Sequence, residues 1–173
     1  VLDHSSGEKI KFKAKFIAVA DGANSRFSRS LGSNRDKSYP MGMAIRGYFE
    51  SPLDKEPWIE SALDVKDRNG NSMPGYGWIF PVGNGTINVG IGLLSTFRDY
   101  KDVNTTHLFN EFALTLPAYW QINHLEPIEP PTGGRLPMAG SVGPKAGYNW
   151  LLVGDAAGSV NPFNGEGIDY AYE

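Results

Sequence analysis

From Lys9 to Lys15 polar and apolar residues alternate, and the pattern then becomes a continuous apolar run, Phe16-Ile17-Ala18-Val19-Ala20. That change predicts a strand over 9–20 that passes from a solvated edge into a covered sheet. It stops at Asp21-Gly22-Ala23-Asn24-Ser25, and a helix carrying Arg26, Arg29 and Leu31 follows. Alternation returns in Met41–Glu50, Ile59–Lys66, Tyr76–Val82 and Thr86–Leu94, with the turn pairs Asn69-Gly70 and Asn84-Gly85 at two of the joints, so an antiparallel sheet is expected. Leu108, Phe109, Phe112, Ala113 and Leu116 then recur at helical spacing. They predict a helix over 104–116 lying on that sheet, capped by Asn104 or Thr105 and ended by Pro117. A stretch rich in Pro and Gly leads back through Arg135-Leu136-Pro137 to a short apolar strand, Trp150-Leu151-Leu152-Val153. Beyond it a glycine-flanked turn at Gly165-Glu166-Gly167 opens a last helix that runs to Glu173.

The end of that strand carries the most informative chemistry. Asp155 sits at its carboxyl edge beside Gly154 and Gly158, which leave room for a ligand to approach the backbone closely. The second turn offers a helix start, with unpaired N–H groups and a positive dipole end. Such a pair suits an electron-rich ring that gains negative charge when reduced, and a flavin is one. An ordinary strand, two turns and an Asp155 N-cap are the alternative.

The string from Gly154-Asp155 through Pro162 to Gly165-x-Gly167 resembles the second FAD fingerprint of the flavoprotein monooxygenase and reductase superfamily. The resemblance implies that Asp155 hydrogen-bonds a ribityl hydroxyl of FAD. It implies too that Gly165, Gly167 and Ile168 set main-chain N–H groups near the flavin N1 and C2 carbonyl, with Gly154, Gly158 and Pro162 in the same cofactor-binding set. Asp21-Gly22-Ala23-Asn24-Ser25 resembles the Asp-Gly motif of that superfamily, which lies near the pyrophosphate and ribityl portions of FAD. This adds Asp21, Gly22, Ser25 and Arg29 to the expected site. The family pattern has an arginine three residues after the serine, whereas here Ser28 stands there and Arg29 follows.

In the middle of the chain, Tyr76-Gly77-Trp78-Ile79-Phe80-Pro81 and the glycine-punctuated strand holding Gly90 and Gly92 resemble a signature of the geranylgeranyl reductase family of FAD-dependent oxidoreductases. In that family the leading proline stands three positions before the tyrosine; Pro74 stands two before Tyr76. Alternation puts Tyr76, Trp78 and Phe80 on one side of a strand, and Gly90 and Gly92 on the next strand would leave space in front of them. The rings are expected either to line a tunnel for an isoprenoid chain or to be core packing beneath the helix at 104–116. An isoprenoid suits such a wall, because each buried CH2 contributes roughly 0.8 kcal/mol.

Together these resemblances imply an α/β fold with an α+β insert. A partial FAD/NAD(P)-binding, Rossmann-like domain (1–38 and 135–173) is interrupted by an antiparallel-sheet substrate domain (39–134). They imply a reductase that saturates carbon–carbon double bonds of an isoprenoid or lipid substrate by flavin hydride transfer, with FAD as cofactor and NADPH or another electron donor. A flavin-dependent aromatic hydroxylase or halogenase shares both FAD motifs and is one alternative; a non-enzymatic isoprenoid or lipid carrier is the other. No strand–Gly-x-Gly-x-x-Gly–helix unit for the ADP half is present in the sequence. The chain is therefore expected to be an internal fragment that binds FAD weakly or not at all alone.

Composition narrows the classes further. A net charge of −3 and the lack of any basic run interleaved with aromatics argue against nucleic acid. With no cysteine there is no disulfide or thiolate chemistry, and His4, His107 and His124 are too scattered for a metal site. No apolar stretch approaches a spanning helix and no secretory pattern is present, so a cytoplasmic protein with peripheral membrane contact is expected.

Overall fold

The computed structural model describes residues 1–96, 100–122 and 126–172, so His124 and Glu173 lie outside the described residues. The chain runs β1 (Ile17–Val19), α1 (Arg26–Ser30), β2 (Asn34–Arg35), β3 (Met41–Glu50), β4 (Glu60–Ala62), β5 (Gly75–Pro81), β6 (Thr86–Leu94), α2 (Thr105–Leu114), β7 (Thr132–Pro137), β8 (Val142–Gly143), β9 (Trp150–Leu152) and α3 (Ile168–Tyr172). Short 3-10 turns occupy Tyr100–Asp102, Ala118–Trp120 and Gly154–Ala157.

The predicted antiparallel sheet forms with five strands in the order β4-β5-β6-β3-β7. Each neighbour is antiparallel, with Ile45 opposite Ile91 and Ile79 opposite Val89. Ile45, Phe49, Ile79, Ile87, Val89 and Ile91 point to one face and are buried against Leu108, Phe109 and Phe112 of α2. The Asn104 side chain caps that helix by accepting from His107 N–H at 3.1 Å. The helix ends at Leu114 rather than 116, because Pro117 disfavours helical backbone just ahead of it. Gly77 lets α2 lie close: a Cβ there would run into the Phe112 ring.

Two predicted strands are shorter than expected. Residues 59–66 form a strand only at Glu60–Ala62, after which a separate hairpin closes through Met73 N–H donating to Val65 C=O at 2.7 Å. The Asp67 carboxylate holds its tip, accepting from Asn69 and Asn71 N–H at 2.8 and 2.9 Å. The strand expected over 9–20 is confined to Ile17–Val19. Its partner β9 is three residues long, so residues 11–16 have no neighbouring strand among the described residues to complete their ladder, and Phe12 and Phe16 stay exposed.

The β1–β9 pair is parallel, with Ile17 opposite Trp150 and Val19 opposite Leu152. Val19, Leu152 and Ala157 make a second, smaller core beside it. A parallel pair beside an antiparallel sheet with one covering helix is the mixed α/β arrangement the sequence implies.

Candidate functional site

Parallel pairing brings the two acidic motifs to one edge. Val153 N–H extends the β1–β9 ladder by donating to Val19 C=O at 3.0 Å, so the loops that carry Asp21 and Asp155 leave from the same carboxyl end.

The first loop turns at Gly22, where φ is +80°, and Ser25 N–H donates back to Gly22 C=O at 3.0 Å. Ser25 is buried and its Oγ accepts from Ser28 N–H at 3.0 Å, which makes it the N-cap of α1. Asp21 Oδ2 also faces that helix start, accepting from Phe27 N–H at 3.4 Å. Arg29 is exposed in the last turn of α1.

In the second loop Gly154 and Gly158 take φ values of +58° and +59°. Asp155 is not the N-cap allowed for in the sequence reading: it lies inside the 3-10 turn Gly154–Ala157, whose cap position is Val153. Its half-buried carboxylate has no hydrogen-bond partner among the described residues, and desolvation pushes its pKa above the usual carboxylate range. A carboxyl group without a partner in that position can accept from a ligand hydroxyl.

The third loop is tied within itself. Gly165, at φ +72°, donates its N–H to Asn161 C=O at 2.9 Å, and Asn161 N–H donates to Glu166 C=O at 2.7 Å. Glu166 Oε1 accepts from Ile168 N–H at 2.6 Å and from Asp169 N–H at 3.3 Å, so its carboxylate caps α3. Of the three main-chain donors implied for a flavin, those of Gly165 and Ile168 are thus engaged within the loop. The Gly167 N–H has no partner among the described residues. Pro162 is exposed on the preceding turn, and Gly158 is buried against Val142 and Ser141.

A cleft of about 500 Å³ opens between the second and third loops, lined by Leu136, Gly154, Asp155, Gly165, Gly167 and Ile168 among others. Asp21, Gly22, Ser25 and Arg29 are not among its lining residues. Leu136 and Glu166 are additions to the residues expected from sequence. A carboxylate two residues ahead of a helix is a readable capping signal for Glu166, whereas Leu136 reaches the cleft only through the register of β7.

Tyr76, Trp78 and Phe80 lie on the sheet face away from α2, since Gly77 contacts Phe112 and Ile79 is in the helix-covered core. The rings are therefore not packing beneath that helix. They form a half-buried row with centroids 5.9 Å apart at each step, and Trp78 Nε1 donates to Asn88 Oδ1 at 2.8 Å. The space expected at Gly90 is filled by the Trp78 indole, which lies where a Cβ would be. At the other end of the row Tyr76 rests on Gly165, so that a Cβ on Gly165 would come within 3.1 Å of its ring. Burial, and secondarily the Glu166 charge, raise the Tyr76 pKa.

Away from this edge, a hollow of about 690 Å³ between the 64–73 hairpin and α2 is lined by His107, Glu111 and Asp102 among others. No group of three His, Asp or Glu side chains among the described residues is arranged to hold a metal. No helix among them is long and apolar enough to cross a membrane.

Residues 1–173 match the family described as FAD binding domain. The menaquinone reductase of Mycolicibacterium smegmatis is 45% identical over 159 residues, which cover 91% of this chain and 38% of that protein. Digeranylgeranylglycerophospholipid reductase 2 of Methanosphaera stadtmanae is 36% identical over 177 residues, covering 100% of this chain and 42% of that one. A geranylgeranyl bacteriochlorophyll reductase-like protein from Thermoplasma acidophilum superposes with a TM-score of 0.65 at 26% identity, over 92% of this chain and 38% of the other. The chain thus spans about two fifths of the length of these relatives.

Proposed function

Because the chain belongs to the FAD binding domain family of flavoproteins, we propose that the full-length protein is an FAD-dependent reductase that saturates carbon–carbon double bonds of an isoprenoid chain. Residues 1–38 and 135–173 would serve the cofactor and 39–134 the substrate. The observation that carries this reading is the contact of Tyr76 with Gly165, which makes the aromatic row begin at the cofactor loop.

The chain fits FAD on its own chemistry. The Asp155 carboxylate is a half-buried acceptor with no partner among the described residues, and the positive-φ turns at Gly154 and Gly165 keep Cβ atoms out of the cleft. Asp155 would accept from a ribityl hydroxyl. The Gly167 N–H, and the Ile168 N–H once Glu166 swings aside, would face the ring edge that becomes electron-rich. When bound, FAD supplies the hydride for alkene reduction. Tyr76, Trp78 and Phe80 exclude water from the adjoining sheet face and hold an apolar chain there by burial.

The menaquinone and digeranylgeranyl lipid reductases among its relatives support an isoprenoid-bearing substrate. The test is anaerobic turnover of the full-length protein with a reduced electron donor and an isoprenoid lipid, read by mass spectrometry. Gain of two hydrogens without oxygen is expected. A strict oxygen requirement, with oxygen or halogen in the product, would replace this reading by the hydroxylase or halogenase one; absence of bound flavin would favour a carrier.

A further inference from the structure

The sheet face that carries the aromatic row also carries a cation. Arg46 of β3 pairs across with Gly90 of β6, which pairs in turn with Trp78 of β5. Directly opposed residues of an antiparallel sheet share a face, so the Arg46 and Trp78 side chains rise on the same side, with only a glycine between them. Trp78 leans over that glycine, which brings its indole toward Arg46. On its own strand the Arg46 guanidinium sits 4.8 Å from the centroid of the Tyr48 ring. Among the described residues it has no carboxylate partner; the ion pair found there joins Lys66 to Asp64.

A half-buried guanidinium held on one aromatic ring, beside a second and with its N–H groups unspent, is a receptor for an oxygen acceptor on a flat ligand. Arg46 lies one pleat, about 7 Å, further along the sheet than the Tyr76–Gly92–Ala44 row that touches the cofactor loop. It therefore stands at a short remove from the reacting end of the apolar wall.

Resting on the reductase reading above, we propose that Arg46 recognises the head of the substrate, and that this head is the flat fused-ring quinone of a polyprenyl quinone. One carbonyl oxygen accepts from the guanidinium while the ring plane lies against Trp78 and Tyr48. A phosphomonoester or diphosphate head carries more charge than one guanidinium neutralises, and a phosphodiester has no flat face to lie against Trp78 and Tyr48. The face offers no second cation among its described residues, since Arg135 of β7 pairs with Met43 and so points to the other side. Trp78 is fixed for stacking by its bond to Asn88.

The experiment uses the full-length, FAD-loaded protein and its Arg46→Met and Arg46→Lys variants. Binding is read by quenching of tryptophan fluorescence, which needs no turnover, with three probes: a menaquinone, a headless isoprenoid hydrocarbon of equal chain length, and a geranylgeranyl phospholipid. R46M is expected to weaken menaquinone binding about tenfold or more and to leave the hydrocarbon within about twofold. R46K, which keeps the charge but loses the planar stack, is expected to fall between. Unchanged menaquinone affinity, or an equal loss for the hydrocarbon, would overturn the proposal. A larger loss for the phospholipid would overturn it in favour of a phosphate head. Should the wild-type protein bind menaquinone in this Arg46-dependent way yet saturate no double bond, the reductase reading fails and the head site stands.

Discussion

The five-stranded sheet and the three loops near the Asp21–Asp155 edge are held together by different means. In the sheet, the three central strands, of seven to ten residues, meet in long ladders, and Phe49, Ile87 and Val89 are fully buried against Phe109 of α2. The loops rest on a three-residue parallel pair and a core of Val19, Leu152 and Ala157, and their backbone groups are satisfied mostly by their own turns. The sheet is built on packing; the loops are built from local hydrogen bonds that a ligand could exchange.

Phe109→Ala breaks the first side of this contrast. It removes a fully buried ring packed on Phe49 with centroids 6.2 Å apart, and is expected to cost about 3–5 kcal/mol. Thermal melting would show the whole sheet giving way, with the aromatic row and Arg46 lost together.

Asp155→Asn should do the reverse, weakening the ligand while sparing the fold. FAD affinity is expected to fall roughly tenfold, because a charge-assisted bond to a hydroxyl becomes a neutral one. Stability without FAD should move the other way, and the sign follows from the raised pKa. The folded protein holds the Asp155 proton more tightly than the unfolded chain, so this group's contribution is fully favourable below the unfolded value of about 3.9 and is lost as pH rises through the folded one. The variant should melt above wild type at neutral pH, and that advantage should vanish near pH 3. A constant offset between the two melting curves at both pH values would contradict a desolvated carboxylate.

The smallest effect sharpens the picture of the loops. Glu166→Gln removes the negative charge that occupies the start of α3. FAD should bind about two- to fivefold more tightly, more so when reduced, because developing negative charge no longer meets a carboxylate. Titration of the oxidised and reduced flavin against wild type and variant measures both numbers.

What could be read from the chain divides along the same line. Alternation and turn pairs gave β3 and β6 their full extents and placed α2 within two residues, because these elements are decided by which face is apolar. Periodicity alone makes the strand over 9–20 too long, since it does not reveal whether a partner strand is present. The neighbourhood of Asp21 and Asp155 followed from motif order, but the unpartnered Asp155 carboxylate, the Glu166 cap and the filling of Gly90 by Trp78 did not. Each depends on a side-chain direction that spacing leaves open.

The pairing of Ile17 with Trp150 joins positions separated by 133 places (150 minus 17). Nothing nearby in sequence can nucleate such a contact, and loop-closure entropy delays it until the intervening segment has collapsed. A newly made chain would complete its five-stranded sheet first and close the Asp21–Asp155 edge last. Damage to the middle of the gene would then undo the Asp21–Asp155 edge without touching a single residue there.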